Sequence, residues 1–370
     1  MFEFLSGGKN KFIGIDFGTS SIKVVVISYR NQRMYLDDYG IVELNLETQG
    51  NQRQLVKNRP FEQKLNIALK NLLEKMKITT GQAYVSLPGF SGLITVIDLP
   101  EMKDEELNRA IQFEAHKYIP SSLDEVAMSW EIVGNKKIIN KGEKSIVPTT
   151  TVEKNKNIKV LLVAAPKREI ERYDRLVGGT QLAVQAIEIE TFPIARALIN
   201  EDSGTFLIID MGSRATNMIL VDNGIVCVNR TIDAGGSEIT IAVSDSMNIS
   251  KVRAESFKRG EKDLLNGGDT PIVVPVLELI ISESRRIIDA YMEKNKEASV
   301  KKVVLSGGTS KMKGLSEYFS KKLALPTTLG NPWKAINIDP IAAPLIEEIG
   351  SSFTVAVGLA MRGVDDYKRK

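Results

Sequence analysis

Apolar residues in this chain fall into short runs punctuated by turn residues, and the same succession of runs occurs twice. Residues 12–15, 24–29 and 34–42 are rich in β-branched and aromatic side chains and are separated by Gly, Ser and Asn, which predicts three consecutive strands. A helix is predicted over 60–76, with Leu65, Leu69, Leu72 and Leu73 on one face and lysines on much of the other. A strand over 83–87 then stops at Pro88-Gly89. The triplet returns at 206–209, 217–221 and 225–231. Helices are predicted over 235–243, 250–258 and 274–295, a strand over 302–305, and helices over 315–323 and around 356–362. Strand triplets followed by helices in both halves predict two α/β domains around a cleft.

The middle of the chain has a different texture. A strand over 93–99 leads to Asp104-Glu105-Glu106-Leu107, an acidic helix start, and that helix runs to Tyr118 before Pro120. Strands are predicted over 128–133 and 159–164 and a helix over 167–178. Between these strands, 134–157 is polar and lysine-rich. It reads as a long exposed hairpin loop, with an electrostatic contact to a membrane or partner as the alternative. The outer pattern resumes with a strand over 184–189 and a short helix over 193–200. The division expected is therefore 11–91 for the first half of domain I and 92–182 for an inserted α/β unit. Residues 183–200 return to domain I, 201–335 form domain II, and 336–370 return to domain I and end in a polar tail.

Composition narrows the chemistry. Lys plus Arg number 49 against 46 Asp plus Glu in 370 residues, a balance that argues against a dedicated nucleic-acid surface. Cys227 and His116 are the sole residues of their kinds, so a disulfide framework, a thiolate cluster and a multi-histidine metal site are excluded within one chain. Cys227 reads as a buried strand residue, His116 as a structural or surface residue, and Met312 either as core or as packed near the loop at 306–310. A reducing interior and chemistry run on carboxylates, hydroxyls and amides are expected. The lack of an 18-residue apolar run and of a signal-peptide core at residues 1–9 predicts neither a membrane span nor export.

Two turns carry the candidate chemistry. Asp16-Phe17-Gly18-Thr19-Ser20-Ser21-Ile22-Lys23 and Asp210-Met211-Gly212-Ser213-Arg214-Ala215-Thr216-Asn217 occupy the same place in the two strand series. A glycine turn offers backbone amides to a polyanion at close range, and Thr19, Ser20 and Ser21 add hydroxyls. Lys23 is placed to meet outer phosphates, and Asp16 suits the water shell of Mg²⁺. A plain hairpin turn is the structural alternative for either loop alone; their recurrence favours a nucleotide clamp. A third loop, Ser306-Gly307-Gly308-Thr309-Ser310, closes a strand before a helix and is suited to the rest of the nucleotide.

With these motifs, and with Glu188-Ile189-Glu190-Thr191-Phe192 between the halves, the chain resembles the actin, Hsp70 and sugar-kinase ATPase superfamily over nearly its whole length. Within it, the chain resembles the PilM family of type IV pilus assembly proteins, in the FtsA-like branch. The insert, with Leu99-Pro100, Ile111-Gln112-Phe113-Glu114-Ala115 and Tyr118-Ile119-Pro120, carries that finer likeness. The resemblance implies an α/β fold of actin-like type, with duplicated RNase H-like domains and an FtsA-type insert. It implies ATP and Mg²⁺ as ligands, with Asp16 and Asp210 holding Mg²⁺ through water and the turns of Gly18 and Gly212-Ser213 taking phosphates. Gly307, Gly308 and Thr309 would line the adenine and ribose end. Gly235-Gly236 matches the glycine pair after the second phosphate strand, and Glu255 and Lys258 match a Glu-x-x-Lys helix at the nucleoside. Glu190 would orient the attacking water, or else serve as a helix-start acid; Thr191 replaces the proline common after that glutamate, so the local turn is expected to differ.

The same resemblance implies a cytoplasmic protein held at the inner membrane by its partners. It would bind the N-terminal cytosolic peptide of a PilN-like membrane protein in a groove beside the insert, with pilus ATPases and further copies of the chain as additional partners. The alternatives are an FtsA-like division filament, which the short polar tail 364–370 disfavours, and a small-molecule kinase, for which no phosphoacceptor site is evident.

Overall fold

A computed structural model describes residues 10–44, 59–119, 122–133, 157–199, 202–260, 262–266, 272–296 and 298–370. The expectations for the N-terminal nine residues and for nearly all of the 134–157 loop lie outside these. The chain separates into two compact units, Ser91–Glu169 and the remainder.

The larger unit contains two sheets of matching construction. In the first, the order across the sheet is Ile336–Asn337, Arg33–Glu43, Ser21–Arg30, Lys11–Phe17, Gly81–Leu87, Leu182–Ile189. In the second it is Ile225–Ile232, Thr216–Asp222, Thr205–Met211, Val300–Ser306, Thr327–Leu329. Each begins with an antiparallel three-strand meander whose first strand then pairs in parallel with a later one. Register repeats as well. Asp16 lies opposite Lys23 in the first hairpin, and Asp210 opposite Asn217 in the second. The duplicated plan follows from hydrophobicity: residues 205–211 are buried throughout, as a central strand covered on both faces must be.

The first sheet is closed by the helix Thr354–Lys368, whose small residues let it press onto the strand Lys11–Phe17. A Cβ on Gly14 would fall 2.0 Å from the Ala356 carbonyl oxygen, and one on Gly358 would fall 1.9 Å from that of Pro193. The helix extends beyond the predicted 356–362 because its last turns join an ion network. Arg196 donates to both oxygens of Glu188 at 2.9 and 3.0 Å, and Arg362 reaches Glu188 at 2.7 Å and Asp366 at 2.8 Å. Among the described residues one stretch, Ala343–Lys368, has the length and apolarity of a membrane span; 67% of its apolar window is buried in the fold, as for a core helix. The helix expected over 193–200 is Thr191–Leu198, starting two residues earlier. Pro193 therefore sits in its first turn, where no intrahelical N–H is required.

The second unit is a three-stranded antiparallel sheet in the order Leu93–Pro100, Asn157–Pro166, Val126–Val133, with the helix Asp104–Ala115. Ile97, Leu107, Ile111, Val160 and Leu162 form its own core. The helix ends at Ala115, short of the predicted Tyr118. The helix Lys167–Gly178, read from sequence as the close of the insert, gives its later residues to the larger unit. There Arg172 pairs with Glu62 at 3.0 Å, and the Asn66 amide donates to the Leu176 carbonyl at 2.8 Å.

Candidate functional site

The two acid-glycine turns meet across one cleft of about 860 Å³ in the larger unit. Each turn is a hairpin end, so the acid closing the first strand and the residue opening the second face each other over a glycine. At the first turn, Asp16 accepts from Ser86 Oγ at 3.2 Å, and its other oxygen lies 3.6 Å from Lys23 Nζ. At the second turn the residue facing Asp210 is Asn217, which is uncharged. Burial, reinforced by the charge of Asp16, pushes Asp210 up from 3.8 to about 6.

Glu190 completes the acidic trio. Its Oε1 accepts from the Gly89 backbone amide at 2.6 Å and from Asn217 Nδ2 at 2.9 Å, while Asn217 Oδ1 accepts from Thr231 Oγ1 at 2.7 Å. One carboxyl thereby ties the end of a first-sheet strand to two strands of the second sheet. Burial pushes Glu190 up from 4.5 to about 8, with the charges of Asp16 and Asp210 adding to it against those hydrogen bonds. In the folded protein this carboxyl keeps its proton through a pH range in which the unfolded chain has released it. Folding stability is therefore expected to fall as pH rises from about 4.5 towards 8, and Asp210 adds to the fall between about 3.8 and 6. Urea midpoints at pH 5.5 and 8 for the ligand-free protein and Glu190→Gln test this. The variant should lose much of the decline, and parallel declines would remove Glu190 as its source.

The other expected residues fall unequally. Gly18, Thr19, Ser20, Ser21, Lys23, Gly212, Ser213, Glu255, Lys258, Gly307, Gly308 and Thr309 all line the cleft with Asp16, Asp210 and Glu190. Gly235 and Gly236 do not. Gly236 N holds the second turn by donating to the Gly212 carbonyl at 2.9 Å, while Gly235 N donates to Glu238 Oε2 at 2.8 Å in the cap of its own helix. Gly307 has φ +85°, and a Cβ there would lie 2.3 Å from the Met211 carbonyl oxygen, so only glycine fits beside the second turn. Glu255 would be raised by its burial, but hydrogen bonds from Lys258, Thr240 and Arg259 bring it down to about 2.

Several cleft residues escaped the sequence reading: Asn217, Thr240, Lys311 and the segment Glu348, Ser351 and Ser352, as did Ser86, which donates to Asp16. Asn217 was legible in principle, since it follows Asp210 by the interval at which Lys23 follows Asp16. The C-terminal segment carries no motif. It reaches the cleft because the Gly307 amide donates to the Ser351 carbonyl at 3.0 Å.

A sequence model for type IV pilus assembly protein PilM matches residues 14–364. The chain belongs to that family. Among solved structures, a PilM-PilN type IV pilus biogenesis complex contains a chain with a TM-score of 0.76 at 24% identity, covering 95% of this chain and 98% of that one. MreB 5 of Spiroplasma citri bound to AMPPNP superposes with a TM-score of 0.50 at 14% identity, covering 98% of each chain. The fold of this PilM-family chain is accordingly the actin-like ATPase fold. Cell division protein FtsA of Streptococcus pneumoniae is 21% identical over 258 residues, taking in 67% of this chain and 55% of that protein. The chain thus spans about half the length of the first curated relatives that it matches.

Proposed function

We propose that this PilM-family chain is an ATP-binding assembly protein of a type IV pilus machine, recruiting the N-terminal cytosolic peptide of a PilN-like membrane protein. The observation that carries the nucleotide is the cleft itself. Two glycine turns with paired aspartates face one another, the hydroxyls of Thr19, Ser20, Ser21 and Ser213 stand beside them, and the Gly307-Gly308-Thr309 loop lies in the same cleft. The AMPPNP on the Spiroplasma protein of like fold supports the same reading.

Among the described residues no three acids are grouped to ligate a metal directly, so a divalent cation here would be held through its own water shell. Asp210 and Glu190 are both raised, partly by the charge of Asp16, and a cation among these oxygens relieves that repulsion. Asp16 and Asp210 would hold a hydrated Mg²⁺, whose chemistry when bound is to neutralise charge on the phosphate oxygens. Lys23 brings a second positive charge to the same place. Glu190 is the water-orienting residue in this reading, its carboxyl fixed by Gly89 and Asn217. Glu190→Gln should then slow hydrolysis more than tenfold, roughly 1.4 kcal/mol in the barrier, while ATP affinity changes little. Equal turnover by the variant and an active wild type would remove Glu190 from the chemistry.

The partner reading is supported by the PilN named in the solved complex. A PilN-like partner would bring the chain to the cytoplasmic face of the inner membrane. Titrating the purified protein with synthetic N-terminal peptides of membrane proteins from the same assembly tests recruitment, and saturable binding of a PilN-like peptide is expected. Binding of scrambled peptides with equal affinity would end this reading while leaving the nucleotide site intact.

A further inference from the structure

The strand Ser21–Arg30 starts at the first acid-glycine turn and ends, 10 residues on, at a hairpin leading into Arg33–Glu43. Asn31 and Gln32 make that connection with φ of +50° and +57°, the left-handed pair that a tight two-residue hairpin needs. The turn fixes the register, and Arg30 stands directly opposite Arg33. Both are exposed. Like charges facing each other across two strands repel. Among the described residues neither forms an ion pair, and the nearby Asp37 is taken by Lys11 at 3.0 Å and by Ser28 at 2.7 Å.

Tyrosines join this tip to the last turn of the helix Thr354–Lys368. The rings of Tyr29 and Tyr367 are 6.0 Å apart, Lys368 Nζ lies 5.0 Å from the Tyr29 ring, and the Arg30 guanidinium lies 4.4 Å over the Tyr35 ring. Lys368, Arg369 and Lys370 are exposed as well. The acids just before them have other partners: Asp365 lies 3.8 Å from Arg196, and Asp366 lies 2.8 Å from Arg362. Lys368 and Arg369 act on Asp365 by charge alone, from beyond contact distance. Five cationic side chains from two distant segments thus flank one end of the first sheet, with three tyrosines among them.

We propose that this sheet end is a contact for an anionic lipid surface. Arginine and lysine interleaved with tyrosine suit a headgroup plane, where cations meet lipid phosphates and amphipathic rings lie at the interface. The chain as a whole carries only +3, so attraction to such a surface has to come from a local cluster. None of these residues lines the nucleotide cleft or the polar groove around Tyr291. The charges therefore come without a socket for a single peptide, and a headgroup plane requires none. A polybasic patch alone binds membranes weakly, and a membrane partner that holds the chain close makes it effective. In that respect the contact rests on the PilN-like reading, but vesicles without any partner test it.

The full chain is sedimented with vesicles of phosphatidylcholine alone and of phosphatidylcholine mixed with phosphatidylglycerol, at low and at physiological salt. Binding is expected to the anionic vesicles only, and to weaken with salt. Each basic residue at an anionic surface contributes about fivefold, so Arg30→Gln/Arg33→Gln and Lys368→Gln/Arg369→Gln should each weaken binding about tenfold or more. Lys64→Gln/Lys70→Gln removes the same charge from exposed positions of the helix Arg59–Lys75 and should change binding less than about twofold. Arg30→Gln/Arg33→Gln also relieves the cross-strand repulsion, so its urea midpoint should hold, which separates a lost contact from a lost fold. Should Lys368→Gln/Arg369→Gln fail to fold, the hairpin variant decides alone. Equal binding to neutral and anionic vesicles, no binding to either at low salt, or equal losses in patch and control variants overturn the proposal. Tighter binding of a poly-glutamate peptide than of anionic vesicles would make this a protein-docking surface and overturn the lipid assignment. Failure of a PilN-like peptide to bind would end the partner reading and leave the vesicle result standing.

Discussion

Replacing Asp16 or Asp210 by Ala is expected to lower affinity for Mg-ATP by about a hundredfold or more, roughly 2.7 kcal/mol, with folding little affected. The two carboxylates stand near the ends of equivalent strands and line one cleft, so in the proposed Mg-ATP complex loss of either would remove one of the two carboxylates that hold the cation. Folding should tolerate the change because neither acid anchors the core. Asp210 is raised to about 6 by burial and by Asp16, so in the empty protein its ionised form is a cost that alanine removes. Asp210→Ala is accordingly expected to hold or raise the urea midpoint near pH 8. Asp16→Ala loses the Ser86 hydrogen bond and the 3.6 Å pairing with Lys23, and should be nearly neutral. Calorimetric titration of both variants, with Mg²⁺ and with EDTA, separates the cases. Wild-type affinity in both variants would dismantle the shared site, and an effect of the same size without Mg²⁺ would remove the cation from it.

The second large effect is on stability. Gly358→Val is expected to destabilise the protein by about 3 kcal/mol or more, and Gly14→Ala by a comparable amount. The helix Thr354–Lys368 meets its neighbours backbone to backbone. A Cβ on Gly358 would stand 1.9 Å from the Pro193 carbonyl oxygen, and one on Gly14 2.0 Å from that of Ala356 and 2.8 Å from the Ala360 nitrogen. Backbone cannot turn aside as a flexible side chain can, so the helix itself must lift from the sheet. Gly178→Ala is the control: a Cβ there meets nothing within 4 Å, and the glycine closes a helix. It should be neutral or slightly stabilising. Urea midpoints measured at constant slope decide the matter; three variants within about 0.5 kcal/mol of one another would refute the close-contact argument.

Much of this protein is legible in its sequence, for reasons seen in particular residues. The strand triplets were readable because period-two patterning and punctuation by Gly, Asn and Ser are local properties, and a central strand such as Thr205–Met211 must be apolar throughout. The two turns were readable because the same acid-glycine spacing occurs at the same point of each triplet, and a repeat identifies itself without coordinates. Pairing of the turns over one cleft follows from that repeat.

Other features depend on residues far apart in the chain. Asp210 and Glu190 carry acidities that arise from burial and from the charge of Asp16, with Asp210 acting on Glu190 as well, and no window of sequence contains these. Lys258 stands in a recognisable helix, yet its three partners come from Gly236, Thr240 and Glu255, and only their convergence assigns its hydrogens. Gly235 and Gly236 stand in a motif that implies ligand contact, and only the structure shows that Gly236 N also donates to the Gly212 carbonyl of the second turn. Ser351 and Glu348 join the cleft because the last helix returns to the first sheet and carries a motif-less segment to Gly307. Sequence alone determined the duplicated α/β plan and where its charged turns lie, since both are written in local hydrophobicity and spacing. Tertiary structure decided which groups are buried together, because desolvation and hydrogen-bond assignment depend on what the rest of the chain brings within about 3 Å.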